Sequence, residues 1–398
     1  MLTQRVQDIQ PSLTLGITAL VNEMKRDGKS VIGLGAGEPD FDTPEVIKEA
    51  AVQAIQEGFT KYTPVSGIIE LKEAVCDNYR RDTKQEFSPA EVLISNGAKH
   101  SLANAMLALC EAGDEIIIPV PYWTSYIELA RFVRSTPVLL NTAESTDFKI
   151  SAEQLEAAIT PKTKLLLLNS PCNPTGTVYS HVELAALVEV IKRHDFYIIY
   201  DEIYDKIIYD GHEHVSLAIF PEIRERLILI NGVSKSYAMT GWRIGYMLAP
   251  KEIVAACNRL QGHTTSNPCS IAQRAALAAL RADRRIIDEM LSAFAERREY
   301  FAGQLAEMPG VECTMPGGAF YMFPNVASFL GYKWRDKSIA SPMDLCAFLL
   351  EEEGVALIPG EAFGSNRHVR ISYATSLDNL KEASVRITRG LEKLRAGD

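Results

Sequence analysis

The stretch KLLLLNSPCNPTGTVYSHVELAALVEVIKRHDFYIIYDE, residues 164–202, decides the fold. An apolar run, 164–170, breaks at a Pro/Asn/Gly turn. A segment with helical spacing follows over 181–194, and a second apolar run, 196–202, ends on Asp201-Glu202. Short continuous apolar strands on either side of an amphipathic helix read as a parallel pair buried on both faces. The pattern repeats outward. VLISN (92–96), EIIIP (115–119) and PVLLN (137–141) lie upstream, with AKHSLANAMLALC (98–110), WTSYIELARF (123–132) and 151–159 reading as helices. RLILIN (226–231) and IGYMLA (244–249) lie downstream. The expectation is α/β architecture: a mostly parallel sheet covered by helices.

The flanks read differently. A polar arm leads into the helical stretch ITALVNEMKRDG (17–28). Past residue 285 come a long charged helix pattern (288–308), a strand-like GGAFYMFP (317–324) and helices over 342–353 and 377–395. These suggest a smaller α+β unit built from both chain ends. The expected division is 1–45 for the arm and part of that small unit, 46–285 for the large unit, and 286–398 for the rest of the small one.

Composition narrows the function. The 398 residues are 47% hydrophobic and 23% charged, ordinary for a globular chain rather than a disordered one. A net charge of −10 disfavours nucleic acid and acidic membrane surfaces as partners. The start MLTQRVQDIQ lacks the apolar core of a secretory signal, and no apolar run approaches the ~20 residues of a membrane span. Seven scattered cysteines with no C-x-x-C pair read as free thiols of a cytoplasmic protein.

Some motifs fail on inspection. GLGAGEPDF (33–41) has glycines at 33, 35 and 37, not the G-x-G-x-x-G of a dinucleotide loop. Gly28-Lys29-Ser30 resembles the end of a phosphate loop, but Glu23 stands where its first glycine belongs. His212-Glu213-His214 is too tight for two ligands on one helix face and reads as a solvated turn, and no metal site is expected.

Four motifs carry chemistry. SNGAKHSL (95–102) is a strand end, a glycine turn and a helix start, whose first N–H groups suit a phosphate. NSPCNPTG (169–176) follows a buried strand, and its Asn173-Pro174 bond marks a turn and is a candidate for the cis form. In YDEIYDKIIY (200–209), Asp201 ends an apolar strand, where a carboxylate caps a turn or meets a cation, and Tyr204 lies three residues on. In NGVSKSYAMTGWRIGY (231–246), Lys235 follows a strand in apolar surroundings. There desolvation favours the neutral amine that a Schiff-base lysine needs. Arg243 lies eight residues further and suits a phosphate dianion. Each motif alone is also compatible with an ordinary turn, cap or surface charge.

Together they resemble the class I aminotransferase family of fold-type-I pyridoxal-phosphate (PLP) enzymes. The similarity runs from QPSLTLGITAL (10–20) through GEPDF (37–41), KYTPVSGIIELKEA (61–74), PYW (121–123) and the four motifs to HVRISYA (368–374), nearly the whole chain. It is closest to the bacterial aspartate aminotransferases of the branch with an N-terminal arm and a substrate-recognising lysine. The resemblance implies that Lys235 carries pyridoxal 5′-phosphate and moves protons during catalysis. Asp201 would pair with the pyridine nitrogen. Tyr204 and Asn173 would bond the phenolic oxygen, and Trp123 would stack on the ring. Arg243, Ser234 and the Gly97-Ala98 backbone would hold the phosphate, with Tyr62 reaching it from the other subunit of a homodimer. Arg370 would clamp the substrate α-carboxylate, assisted by Asn173 and the Gly37 backbone, while Lys99, Ser12 and Thr14 would meet a distal carboxylate.

The implied reaction is ping-pong transamination of L-aspartate with 2-oxoglutarate; prephenate or aromatic amino acids, and a lyase of the same fold, are the alternatives. Cys172 departs from the commonest form of its motif, where Asn or His stands. A DNA-binding regulator of this fold would need an added domain, and a nicotinamide dehydrogenase would need the missing glycine fingerprint.

Overall fold

A computed structural model describes residues 2–395. Its main sheet has seven strands: β1 (Val92–Ser95), β2 (Glu115–Val120), β3 (Thr136–Asn141), β4 (Thr163–Asn169), β5 (Tyr197–Asp201), β6 (Leu227–Gly232) and β7 (Gly245–Leu248). Their order across the sheet is β1-β7-β6-β5-β4-β2-β3. Within it β6, β5, β4, β2 and β3 pair in parallel, and only β7 runs against its neighbours. The reversal has a local cause. Parallel re-entry needs a crossover of a dozen or more residues, normally a helix. The link from β6 to β7, residues 233–244, carries only a 3₁₀ turn at Thr240–Trp242 and no α-helix to return the chain to the other edge.

The sequence pattern accounts for the core. Leu165–Leu168 of β4 and Ile198–Tyr200 of β5 are all buried, as continuous apolar runs require when helices cover both faces. Helix His181–Ile191 starts at Ser180, which accepts from the Glu183 N–H while the Glu183 carboxylate accepts from the Ser180 N–H. It turns Leu184, Leu187, Val188 and Ile191 inward.

The remainder forms a smaller layer. Strand Val369–Ser372 lies between Ile358–Pro359 and Tyr321–Met322, antiparallel to both. Helices Asp288–Ala306, Pro342–Glu353 and Leu377–Lys393 accompany it. The N-terminal segment joins this layer: Ile32–Gly33 pairs in parallel with Val355–Ala356. Arg297 grips Asp40 through two bonds of 2.7 and 3.0 Å, tying the long helix to the glycine-rich segment before it. GGAFYMFP forms a much shorter strand than its composition suggests. A Cβ on Gly318 would stand 2.8 Å from Pro171 and 2.9 Å from the Ile207 carbonyl, so this glycine serves close packing against the turn after β4, and pairing starts only at Tyr321.

His212 and Glu213 are exposed, as a solvated turn requires. His214 is not: it turns inward, 3.1 Å from the buried Glu202 carboxylate. Among the described residues no cluster of His, Cys, Asp and Glu has metal-ligand form, and no helix is long and apolar enough to cross a membrane.

Candidate active site

Ligands of open α/β sheets bind beyond the carboxyl ends of the strands. Five such ends converge here: Ala98 after β1, Trp123 after β2, Asn169 at the end of β4, Asp201 at the end of β5 and Lys235 after β6. They border a cavity of about 360 Å³, closed on its other sides by Gly35–Glu38, Tyr321, Arg370 and the arm residues Ser12 and Thr14.

Lys235 is half-buried, and its Nζ donates to the Gly37 carbonyl. Burial pulls its pKa down to about 8, and the Arg243 and Arg370 cations add to the fall while Glu38 and Asp201 oppose it. Asp201 is buried. Its Oδ2 accepts from the Tyr126 hydroxyl at 2.7 Å and its Oδ1 from the Ile203 N–H at 3.1 Å. Burial raises its carboxyl to about 6 against these two donors. A cation at its free face would restore full ionisation. Tyr204 is buried, with its hydroxyl 2.8 Å from that of Tyr321.

Arg370 is buried in strand Val369–Ser372. Its Nη1 donates to Asn173 Oδ1 at 2.9 Å and its Nη2 to the Gly35 carbonyl at 2.7 Å. Its guanidinium lies 4.4 Å from the Tyr321 ring and 4.9 Å from the Phe363 ring. Its Nε is buried without a partner. A buried unpaired guanidinium N–H is costly and marks a place for an anionic oxygen.

At the opposite wall, Gly97 has φ +84° and immediately precedes helix Ala98–Leu109, which has no side-chain cap. A Cβ there would collide with the Arg243 guanidinium. Arg243 is itself held left-handed at φ +55°, and its Nη1 donates to the Thr240 carbonyl at 2.8 Å. Arg243, buried Ser234 and an uncapped helix start therefore meet in one corner, the donor set a phosphate needs.

Lys99 stands on the rim, its ammonium 4.9 Å from the Trp123 ring centroid. Desolvation, and then Arg243, lower its pKa. Ser12 Oγ and Thr14 Oγ1 are 2.9 Å apart. Tyr62 is 91% exposed and does not line the cavity within one chain. The other residues singled out by sequence all border this cavity or, like Gly97, its Arg243 corner.

Sequence reasoning missed Gly35, Tyr126, Asn169 and Tyr321. Tyr126 lies in the first turn of the helix that Trp123 opens, and the two rings meet edge to face with centroids 5.4 Å apart. Tyr321 lay inside the quoted GGAFYMFP but carried no chemical signal of its own. Cys172 is half-buried, and burial raises its thiol to about 11, which leaves it unreactive at neutral pH.

A desolvated lysine, a buried carboxylate and a phosphate corner on this sheet define a pyridoxal-phosphate transferase of fold type I. The comparisons agree. The family model for aminotransferase class I and II matches residues 29–387. The aspartate aminotransferase of Bacillus subtilis is 47% identical over 98% of this chain and 99% of its own. The aspartate/prephenate aminotransferase of Nitrosomonas europaea is 46% identical over 97% and 98%. The crystal structure of the aspartate aminotransferase from Rhizobium meliloti superposes with a TM-score of 0.96 at 44% identity, covering 99% of this chain and 100% of that one. This chain belongs to the class I and II aminotransferases, enzymes that depend on pyridoxal 5′-phosphate.

The Lys235 environment gives a pH prediction. Only the neutral amine attacks an aldehyde, and its fraction grows as pH rises through its pKa. Covalent capture of added pyridoxal 5′-phosphate by cofactor-stripped protein should rise with a midpoint near 8 rather than the ~10.4 of an ordinary lysine. Stopped-flow absorbance reads it, and a midpoint near 10 would contradict the desolvated environment.

Proposed function

We propose that this chain transaminates L-aspartate with 2-oxoglutarate, giving oxaloacetate and L-glutamate by a ping-pong cycle. The observation that carries the reading is the presence of two anion-seeking ends in one cavity. Arg370 offers an unpaired buried Nε at one, and Lys99 stands with Ser12 and Thr14 at the other. A dicarboxylic amino acid fits both.

The residues fit the cofactor. Asp201 would accept from the ring N–H, Trp123 would pack on the ring face, and Tyr204 and Asn173 would bond the phenolic oxygen. Because Asn173 Oδ1 is taken by Arg370, its amide N–H₂ is the group left to donate. Ser234, Arg243 and the helix start at Gly97-Ala98 would hold the phosphate. Bound there, pyridoxal 5′-phosphate supplies an electron sink for the substrate Cα. Arg370 clamps the α-carboxylate as a fork, with Asn173 and the Gly37 backbone beside it. Lys235 is the amine that would accept the Cα proton and redeliver it, as base and then acid.

A second copy completes the site in this reading. Tyr62 would reach the partner's phosphate corner, and the exposure of Val52, Ile55 and Ile69, close to it in the chain, supports a homodimer. The division at residues 45 and 285 and the cytoplasmic location expected from the cysteines belong to the same proposal.

The direct test is the half-reaction. Holoenzyme mixed with L-aspartate alone should lose its cofactor absorbance band, and 2-oxoglutarate should restore it. An unchanged band with aspartate, and bleaching by another amino acid, would move the substrate elsewhere. Lys99→Ala should reduce kcat/KM for aspartate by roughly 10- to 100-fold, the 1.5–3 kcal/mol of a charged hydrogen bond, and leave alanine nearly untouched. Equal losses would remove Lys99 from the distal-carboxylate role. Prephenate is the second reading, favoured by the 46% identity to an aspartate/prephenate aminotransferase.

A further inference from the structure

Tyr204 and Tyr321 come from different layers, Tyr204 just after β5 and Tyr321 from the three-stranded sheet, yet their hydroxyls meet at 2.8 Å in full burial. Each hydroxyl has one proton, so only one of them donates across that contact. Resting on the proposed reading, Tyr204 spends its proton on the cofactor's phenolic oxygen. Tyr321 must then be the donor to Tyr204. The surroundings favour that direction. The Arg370 guanidinium lies 4.4 Å from the Tyr321 ring centroid. Burial raises the Tyr321 pKa, but Arg370 works against that rise, which keeps this phenol a good donor. Gly37 preserves the approach, since a Cβ there would stand 3.1 Å from the Tyr321 hydroxyl.

We propose that Tyr321 is a positioning residue that donates to Tyr204, fixes it as a donor toward the cofactor, and thereby sets how tightly the nitrogen joining Lys235 to the cofactor holds its proton. The sign follows from charge. That nitrogen's proton is held by the negative phenolic oxygen beside it. A donor to the oxygen withdraws that charge and loosens the proton, and a donor behind the donor strengthens the effect by tens of per cent.

The test is the pH midpoint of the bound cofactor's absorbance change in holoenzyme without substrate. Tyr204→Phe should raise the midpoint by about 1 pH unit, one hydrogen bond's worth. Tyr321→Phe keeps the ring and should raise it by roughly 0.1–0.3 unit. Placing 3-fluorotyrosine at 321 keeps the shape, strengthens the donor and should lower the midpoint. This opposite-signed shift would not come from a packing defect, and it decides the matter if Tyr321→Phe folds poorly. If Tyr204→Phe shifts the midpoint and neither change at 321 does, or both changes at 321 shift it the same way, the inference about Tyr321 falls and the site reading stands. If Tyr204→Phe also leaves it unmoved, the assignment of Tyr204 falls and this inference with it.

Discussion

Lys235→Ala should lower transamination by at least 10²- to 10⁴-fold, the range of a lost acid–base group, while the protein still folds and takes up cofactor non-covalently. Both halves follow from the geometry. The Lys235 side chain has one hydrogen bond, to the Gly37 carbonyl, and borders a cavity rather than filling core, so alanine leaves no strained void. The phosphate corner at Arg243 and Ser234, the Asp201 carboxylate and the Trp123 face are all untouched, and binding should survive. In the proposed reading the variant lacks the amine that would anchor the cofactor and carry the proton, and among the described residues the other lysine lining the cavity is Lys99, on the rim beside Trp123. Turnover, thermal melting and equilibrium cofactor binding measured on the purified variant check the prediction. Full activity would remove Lys235 from the chemistry, and an unfolded variant would show that its role is structural.

Arg370→Lys should reduce kcat/KM for every amino acid by a similar factor, since every substrate shares the α-carboxylate. Disturbing a buried hydrogen-bonded charge pair costs about 2–5 kcal/mol, roughly a 30- to 5000-fold loss. Lysine keeps the charge but not the fork. It cannot bond Asn173 Oδ1 and the Gly35 carbonyl together while offering further N–H groups to a ligand. The planar group between Tyr321 and Phe363 is also lost. A stability loss of about 1–3 kcal/mol should accompany it, because one buried acceptor is left unpaired. Steady-state kinetics with aspartate, alanine and phenylalanine, together with melting curves, separate the two effects. A loss confined to aspartate would show that Arg370 reads the distal carboxylate instead. This contrast with Lys99→Ala, selective by design, locates the two ends of the substrate independently.

The sheet was largely legible in the chain. The seven apolar runs from VLISN to IGYMLA all became strands, with ends shifted by a residue or two. Strands buried on both faces have no alternation to hide, so their signal is strong. GGAFYMFP was legible only in part, because its Gly318 answers to Pro171 and Ile207, residues more than a hundred positions away. The solvated-turn reading of His214 failed for a similar reason. Its partner, Glu202, sits at the far end of a strand and cannot be found from local spacing.

By itself, the sequence determined the α/β class and singled out the four motifs and the lysine that the fold brings to one cavity, because each depends on local periodicity or on a short run of residues. Strand order, the reversal of β7 and the pairing of Tyr204 with Tyr321, of Tyr126 with Asp201 and of Arg370 with Gly35 were decided by tertiary structure alone. The physical reason is range. These contacts join residues 75 to 335 positions apart, and what selects them is burial: a buried phenol or guanidinium takes the partner that the packed layers bring within 3 Å, whatever its place in the chain.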